Sequence, residues 1–153
     1  MLSVVHCTVA DIRAAGTFPQ LAAEYERNSP IDGMPTPSPD WDHYEKLEAA
    51  GRLFAFGAAI DGALVGFLGL LVAKVPRYAE PIATIESFFV SASHRKGGAA
   101  LKLLRAAEEK AQELGAPGLL ASALPGSPLF EILPRLGYAE AGRTFFKKAA
   151  VHA

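Results

Sequence analysis

Cysteine is nearly absent: Cys7 is the one thiol in 153 residues, which excludes an internal disulfide. It lies in an apolar, strand-like start where a buried, inert thiol is expected, and the cysteine poverty fits a cytoplasmic protein. An excess of either charge is lacking as well. Lys and Arg number 15 against 16 Asp and Glu, scattered along the chain with a net charge of −1, which leaves no electrostatic footprint for nucleic acid. The longest uncharged apolar run near the middle, Ala63–Ala73, is too short to span a bilayer, so no membrane partner is expected. The start, MLSVVHCTVADIR, has neither the basic beginning nor the cleavage site of a secretory signal. His6 and His152 have no Cys, Asp or His neighbours at ligand spacing, so no metal is expected. Gly-x-x-x-x-Gly-Lys-Ser/Thr and Gly-x-Gly-x-x-Gly are both missing, and so are repeats, low-complexity tracts and linkers. What remains is a chain half apolar by composition, enough for one domain over residues 1–153 with a proper core.

The patterns present are those of a mixed α+β protein. Leu2–Cys7 reads as a strand, and Thr8 with Asp11 three residues on reads as a shortened capping box. Phe18, Leu21, Ala22 and Tyr25 at helical spacing carry a helix to about Arg27, and Gly16 and Pro19 divide this region into two short pieces. Asn28–Pro39 holds four prolines and a glycine, so it is a loop: either a functional one or a stiffened surface crossover. Asp40 then caps a helix that turns Trp41, Tyr44 and Leu47 inward and closes at Gly51. His43 on that helix lines a pocket or is exposed. Asp61-Gly62 joins the strands Arg52–Ile60 and Ala63–Val75 as a hairpin, and the second, apolar on both faces, is expected at the sheet centre. Beyond the Pro76–Pro81 turn come the strand carrying Glu86, a long helix, a short strand Gly118–Leu124, a helix Leu129–Leu136 kinked at Pro134, and a last strand through Phe146 with Lys147-Lys148 as its solvated end.

The chain is organised around Ala83–Leu114. A β-branched and aromatic strand (Thr84, Ile85, Phe88, Phe89, Val90) breaks at Ser91–His94, with His94 a turn residue. It then passes through Arg95-Lys96-Gly97-Gly98-Ala99-Ala100 into a helix with Leu101, Leu104, Ala107, Glu108, Ala111 and Leu114 along one face. The first turn of a helix has unpaired backbone N–H groups and a positive dipole end, and without bulky side chains those donors close around a phosphate or pyrophosphate. A tight turn that needs glycine only for its shape is the other reading. By alternation Glu86, Phe88 and Val90 share one face, and Ile85, Ser87 and Phe89 the other. A carboxylate in an apolar strand needs a partner or a cavity: Glu86 is either a functional base or a structural group paired with Arg77 or Arg143.

Arg95-Lys96-Gly97-Gly98-Ala99-Ala100, five residues after the Phe88-Phe89-Val90 strand end, resembles the pyrophosphate loop Arg/Gln-x-x-Gly-x-Gly/Ala of the GNAT (Gcn5-related N-acetyltransferase) superfamily. Bacterial and phage-encoded members of unassigned substrate look similar here, and Leu136-Gly137-Tyr138 resembles a second family signature. The resemblance implies a mixed sheet flanked by helices and acetyl-coenzyme A as co-substrate. It also implies acetyl transfer to a primary amine of a small molecule or protein by direct attack in a ternary complex. The backbone amides of Lys96, Gly97, Gly98, Ala99, Ala100 and Leu101 would anchor the diphosphate, with Arg95 adding positive charge. Phe88, Phe89 and Val90 would pair through their backbone with the pantetheine arm, in a splay against Gly118–Leu124. Glu86, nine residues before the loop arginine, would accept the amine proton. The family's thiolate-protonating tyrosine is replaced by Leu133 and an asparagine seven residues earlier by Gly126, leaving Ser127, Ser122 or Tyr138 as substitutes. That loss keeps a non-catalytic acyl-CoA-sensing module open as the alternative. Asp32, Asp40, Asp42 and Glu45 are either an acidic acceptor pocket or solvated surface, and a homodimer is open, as dimers are common in the family.

Overall fold

The computed structural model describes residues 1–27 and 31–150. Its elements are β1 (Leu2–Cys7), α1 (Val9–Ala14), α2 (Phe18–Arg27), α3 (Trp41–Ala49), β2 (Leu53–Ile60), β3 (Ala63–Ala73), β4 (Ile82–Val90), α4 (Ala99–Glu113), β5 (Leu119–Leu120) and α5 (Pro128–Ile132), with 3₁₀ turns at Ala92–Gly97 and Pro134–Leu136. The five strands lie in sequence order, antiparallel from β1 to β4 and parallel between β4 and β5. This is the mixed sheet flanked by helices that the pattern implies.

Local signals account for most of these boundaries. Thr8 and Asp11 exchange side-chain and backbone hydrogen bonds across the first turn of α1, a complete capping box. The bonds from Thr8, backbone first, hold the Asp11 carboxyl below its ordinary range. A depressed carboxyl adds stability above its unfolded value and loses it as pH falls through the folded one. Asp11→Asn is therefore expected to lower the thermal midpoint at neutral pH and to converge with the parent in acid; parallel pH curves would refute this. Asp40 caps α3 by accepting from the His43 N–H at 3.0 Å. Asp61 and Gly62 both take positive φ, 50° and 83°, as a two-residue hairpin with right-handed strand twist requires.

Two apolar clusters cover the two faces of the sheet. On one, Phe56, Leu68, Leu70 and Val72 meet Leu103, Leu104, Ala107 and Ala111 of α4. On the other, Leu53, Phe67 and Phe89 meet Val9, Ile12 and Leu21 beneath α1 and α2, with Trp41 and Tyr44 of α3 alongside. β3 is central and covered on both sides, as its double-faced apolarity predicts. Leu68 is completely buried there. Truncation of such a side chain costs transfer energy plus a cavity, so Leu68→Ala is expected to lower the unfolding free energy by about 2–5 kcal/mol in urea titrations. A loss below about 1 kcal/mol would contradict this packing.

Four expectations are corrected. The last strand does not form: residues 139–150 carry no regular secondary structure. Phe145-Phe146, Lys147-Lys148 and Ala149-Ala150 come in like pairs, so no alternation offers a sheet one apolar face. Phe146 and Lys148 instead lie against Gly33 in the proline-rich loop. The Gly118–Leu124 strand shrinks to Leu119–Leu120. Leu103, not Leu101, shares the buried face of α4, where Ala99, Leu103, Leu104, Ala107 and Ala111 recur at helical spacing, and Leu114, at the C-cap, is exposed. The fourth correction concerns the face on which Glu86 stands. Residues 28–30 of the loop, and His152, lie outside the described residues.

Candidate active site

β4 holds the centre of the site, and an irregularity in it decides the geometry. Gly69 pairs with Ser87 but Leu70 pairs with Ile85, so β4 has one extra residue, Glu86, at a β-bulge. The bulge reverses the alternation. Ala83, Ile85, Phe88 and Val90 all pack on the α4 side, whereas Phe89 packs on the side of α1–α3. Glu86 therefore does not share a face with Phe88 and Val90; it is exposed and turned toward α3.

There the Tyr44 hydroxyl donates to Glu86 Oε1 at 2.5 Å. Burial, then the Glu86 hydrogen bond and charge, push the Tyr44 phenol well above the ordinary tyrosine range, so it keeps its proton and remains a donor. Burial also raises the Tyr25 phenol, opposed by the Phe88 backbone and reinforced by Glu86. The pairing with Arg77 or Arg143 is not formed: Arg143 bonds Glu140 at 3.0 Å, and the partner of Glu86 is a neutral phenol. Tyr44 was legible in the sequence only as an inward-facing helix residue. Gly69, like Gly66 a glycine inside the apolar strand β3, was a signal of a bulge or close approach.

The outer edge of β4 is open. β5 pairs with it only at Ala83–Leu119 and Thr84–Leu120, so from Ile85 to Val90 that edge has no strand partner among the described residues. Beyond Val90 the chain makes its 3₁₀ turn and reaches Gly98, whose φ of 85° lies in the left-handed region that favours glycine. Lys102 is the first residue to donate back along α4, to the Gly98 carbonyl at 3.1 Å. The N–H groups of Ala99, Ala100 and Leu101 thus have no helical acceptor, and no side chain caps them. A Cβ built at Gly97 or Gly98 would meet nothing within 4 Å, so the two glycines leave the approach to this end of the helix uncrowded. Lys96 and Gly97 belong to the preceding turn, so the N–H groups without a helical acceptor are confined to the start of α4.

Arg95 braces the turn: its Nε donates to the Val90 carbonyl at 3.1 Å and its guanidinium lies 5.5 Å from the Phe89 ring centroid. With Ser91, Ala92, Ser93, Gln20, Glu24 and Arg27 it lines an open recess of about 440 Å³. That recess includes neither Glu86 nor the glycines, so it borders the site and is not its centre.

Chain residues 18–127 match the model of the acetyltransferase (GNAT) family. The chain belongs to the GNAT acetyltransferases. It is therefore an acyltransferase enzyme by family, and solved structures of the same fold extend over nearly its whole length. Ribosomal-protein-alanine N-acetyltransferase from Brucella melitensis biovar Abortus 2308 is 22% identical with a TM-score of 0.72, covering 99% of both chains. AAC(6')-Iy in complex with a bisubstrate analog, CoA-S-monomethyl-acetylneamine, is 19% identical with a TM-score of 0.73, again over 99% of both. The aminoglycoside acetyltransferase meta-AAC0020 from an uncultured soil metagenomic sample, in complex with sisomicin, is 20% identical with a TM-score of 0.72 over 97% of both. No curated protein is a significant sequence match.

In this GNAT acetyltransferase the remaining candidates stand as follows. Leu133 is buried in the core on the α4 side, so no hydroxyl reaches the site from that position. Ser127 is occupied as the N-cap of α5, accepting from Phe130 N–H, and Ser122 is exposed. The Tyr138 hydroxyl is buried without a hydrogen-bond partner; burial, with the nearby Glu108 carboxylate adding to it, pushes it up to about 12. Asp32, Asp40, Asp42 and Glu45 are all exposed, as is His43. Cys7 is half-buried and its thiol is pushed up to about 11 by burial and by Asp11 and Glu48, which makes it inert. No helix among the described residues is long and apolar enough to cross a membrane.

Proposed function

We propose that this chain transfers an acetyl group from acetyl-coenzyme A to a primary amine, with Glu86 accepting the amine proton. The observation that carries this reading is the pairing of two features along one strand and its exit. N–H groups without a helical acceptor stand at the start of α4 behind two uncrowded glycines, and an exposed carboxylate held by a phenol stands on β4. The first suits a diphosphate, since backbone donors and the helix dipole act together there. The unpartnered edge from Ile85 to Val90 suits the amide groups of a pantetheine arm, which would extend the sheet by backbone bonding. Coenzyme A supplies the activated acyl group when bound; the protein supplies position and a proton acceptor. An alkyl ammonium costs about 5 kcal/mol to deprotonate at neutral pH, which gives Glu86 its task.

The acceptor is an amine of a small molecule or of a protein. Structures of the same fold belong to enzymes named for aminoglycosides and for ribosomal-protein alanine, and both classes present such a group. The decisive experiment joins calorimetry with acetyl-coenzyme A to thiol release against sisomicin, a peptide with an N-terminal alanine, and spermidine. Binding with amine-dependent release is the expected result, and absence of binding refutes the reading. Leu133, buried where the family carries a tyrosine, favours a second reading as an acyl-coenzyme A sensor. Binding with no release against any amine would select it.

A further inference from the structure

The bulge brings three residues from distant parts of the chain around one carboxylate. Tyr44 reaches Oε1 of Glu86 from α3. Oε2 lies over β3 at Gly69, where an added Cβ would stand 3.2 Å from Oε2 and 2.7 Å from the Ser87 hydroxyl. A contact of 2.7 Å is closer than real Cβ atoms come, so a side chain at residue 69 turns the Ser87 hydroxyl aside and, at 3.2 Å, presses the carboxylate out of its place. Gly69 has no positive φ and lies within β3, opposite the bulge. Conformational freedom is therefore not why glycine stands there; space is.

We infer that Tyr44 and Gly69 are positioning residues for Glu86: the hydroxyl pins Oε1, and the missing side chain at residue 69 leaves the seat that Oε2 occupies. This rests on Glu86 being the proton acceptor. Its added claim is that the carboxylate is seated, not merely present. An exposed glutamate on a strand ordinarily samples several rotamers, and a base serves only within hydrogen-bond reach of its proton. Two restraints from opposite sides remove that freedom. Both act through the carboxylate, and neither is assigned a contact with the amine or the thioester. The raised phenol of Tyr44 keeps the pin a donor through the working pH range.

The test uses Tyr44→Phe, which keeps the ring against Trp41, and Gly69→Ala, each alone and combined with Glu86→Gln. Initial rates are read with acetyl-coenzyme A and the best amine of the panel above. Each single variant is expected to lower kcat about tenfold or more, with KM for acetyl-coenzyme A unchanged, because small misplacement of a reacting group is costly in rate. In the Glu86→Gln background neither is expected to lower the rate further, since both act through that carboxylate. Full effects persisting in that background, or kcat unchanged in both single variants, overturn the inference. Crystal structures of the two variants keep it testable without turnover: a Glu86 carboxylate that holds its place in both would refute the seat. If Glu86→Gln alone is harmless, the base assignment fails, and the crystallographic arm still decides the seating.

Discussion

Glu86→Gln is expected to lower kcat by about 10²- to 10⁴-fold at neutral pH, the range over which a positioned base contributes. The substitution is nearly isosteric, and the amide oxygen still accepts from Tyr44, so the fold and the bulge are retained. KM for acetyl-coenzyme A is expected to stay unchanged, because the proposed donor site is the open β4 edge and the start of α4, away from this carboxylate. The deficit carries a pH signature whose sign follows from the acceptor. The free-base fraction of an alkyl amine rises about tenfold per pH unit up to its own pKa near ~10.4. Above neutrality the solution therefore does progressively more of the deprotonation proposed for Glu86. The variant should recover toward the parent as pH rises, and the gap should be widest at low pH. Measuring kcat for both proteins from pH 6 to pH 9.5 checks this. Equal rates at every pH would remove Glu86 from the mechanism.

The second large effect concerns the donor. Gly97→Asp is expected to weaken acetyl-coenzyme A binding about a hundredfold while leaving the thermal midpoint level or slightly raised. Residue 97 has ordinary φ and open space around it, so an aspartate fits without strain. Its carboxylate would stand beside the amides of Ala99–Leu101, which have no helical acceptor. There it resembles an acidic helix start, which stabilises by about 0.3–1 kcal/mol. Toward a diphosphate it acts in the opposite sense. It competes for the same donors, and like charges about 5 Å apart repel by roughly 3 kcal/mol at an effective dielectric near 20. That energy corresponds to about two orders of magnitude in affinity. A general folding defect lowers stability and binding together; here they are expected to part. Calorimetry and a thermal melt on one preparation separate the cases, and an affinity within about twofold of the parent would relocate the diphosphate site.

Both predictions draw on information of different ranges. The glycine junction is local: Gly98 at positive φ followed by small residues opens a helix without a side-chain cap, and six consecutive residues suffice to show it. The face of Glu86 is not local. Strict alternation over 83–90 puts it with Phe88 and Val90, and only the pairing of β4 with β3 across Gly69 introduces the bulge that reverses it. Nor is there a short-range signal joining Tyr44 to Glu86, forty-two positions apart. The same limit applies to the C-terminal segment. Strand propensity near Phe145-Phe146 counts for little when β5 leaves the sheet after two residues and offers no edge to extend.

By itself the sequence determined the element order through β4, the caps of α1 and α3, the Asp61-Gly62 hairpin, and the unpaired donors at the start of α4. Each follows from backbone preferences and hydrogen bonds spanning a few residues. Only the tertiary structure decided where the carboxylate points, what holds it, and how far β4 stays open. Those depend on register between strands and on which side chains two separate elements bring within bonding distance, and a chain's local pattern does not encode them.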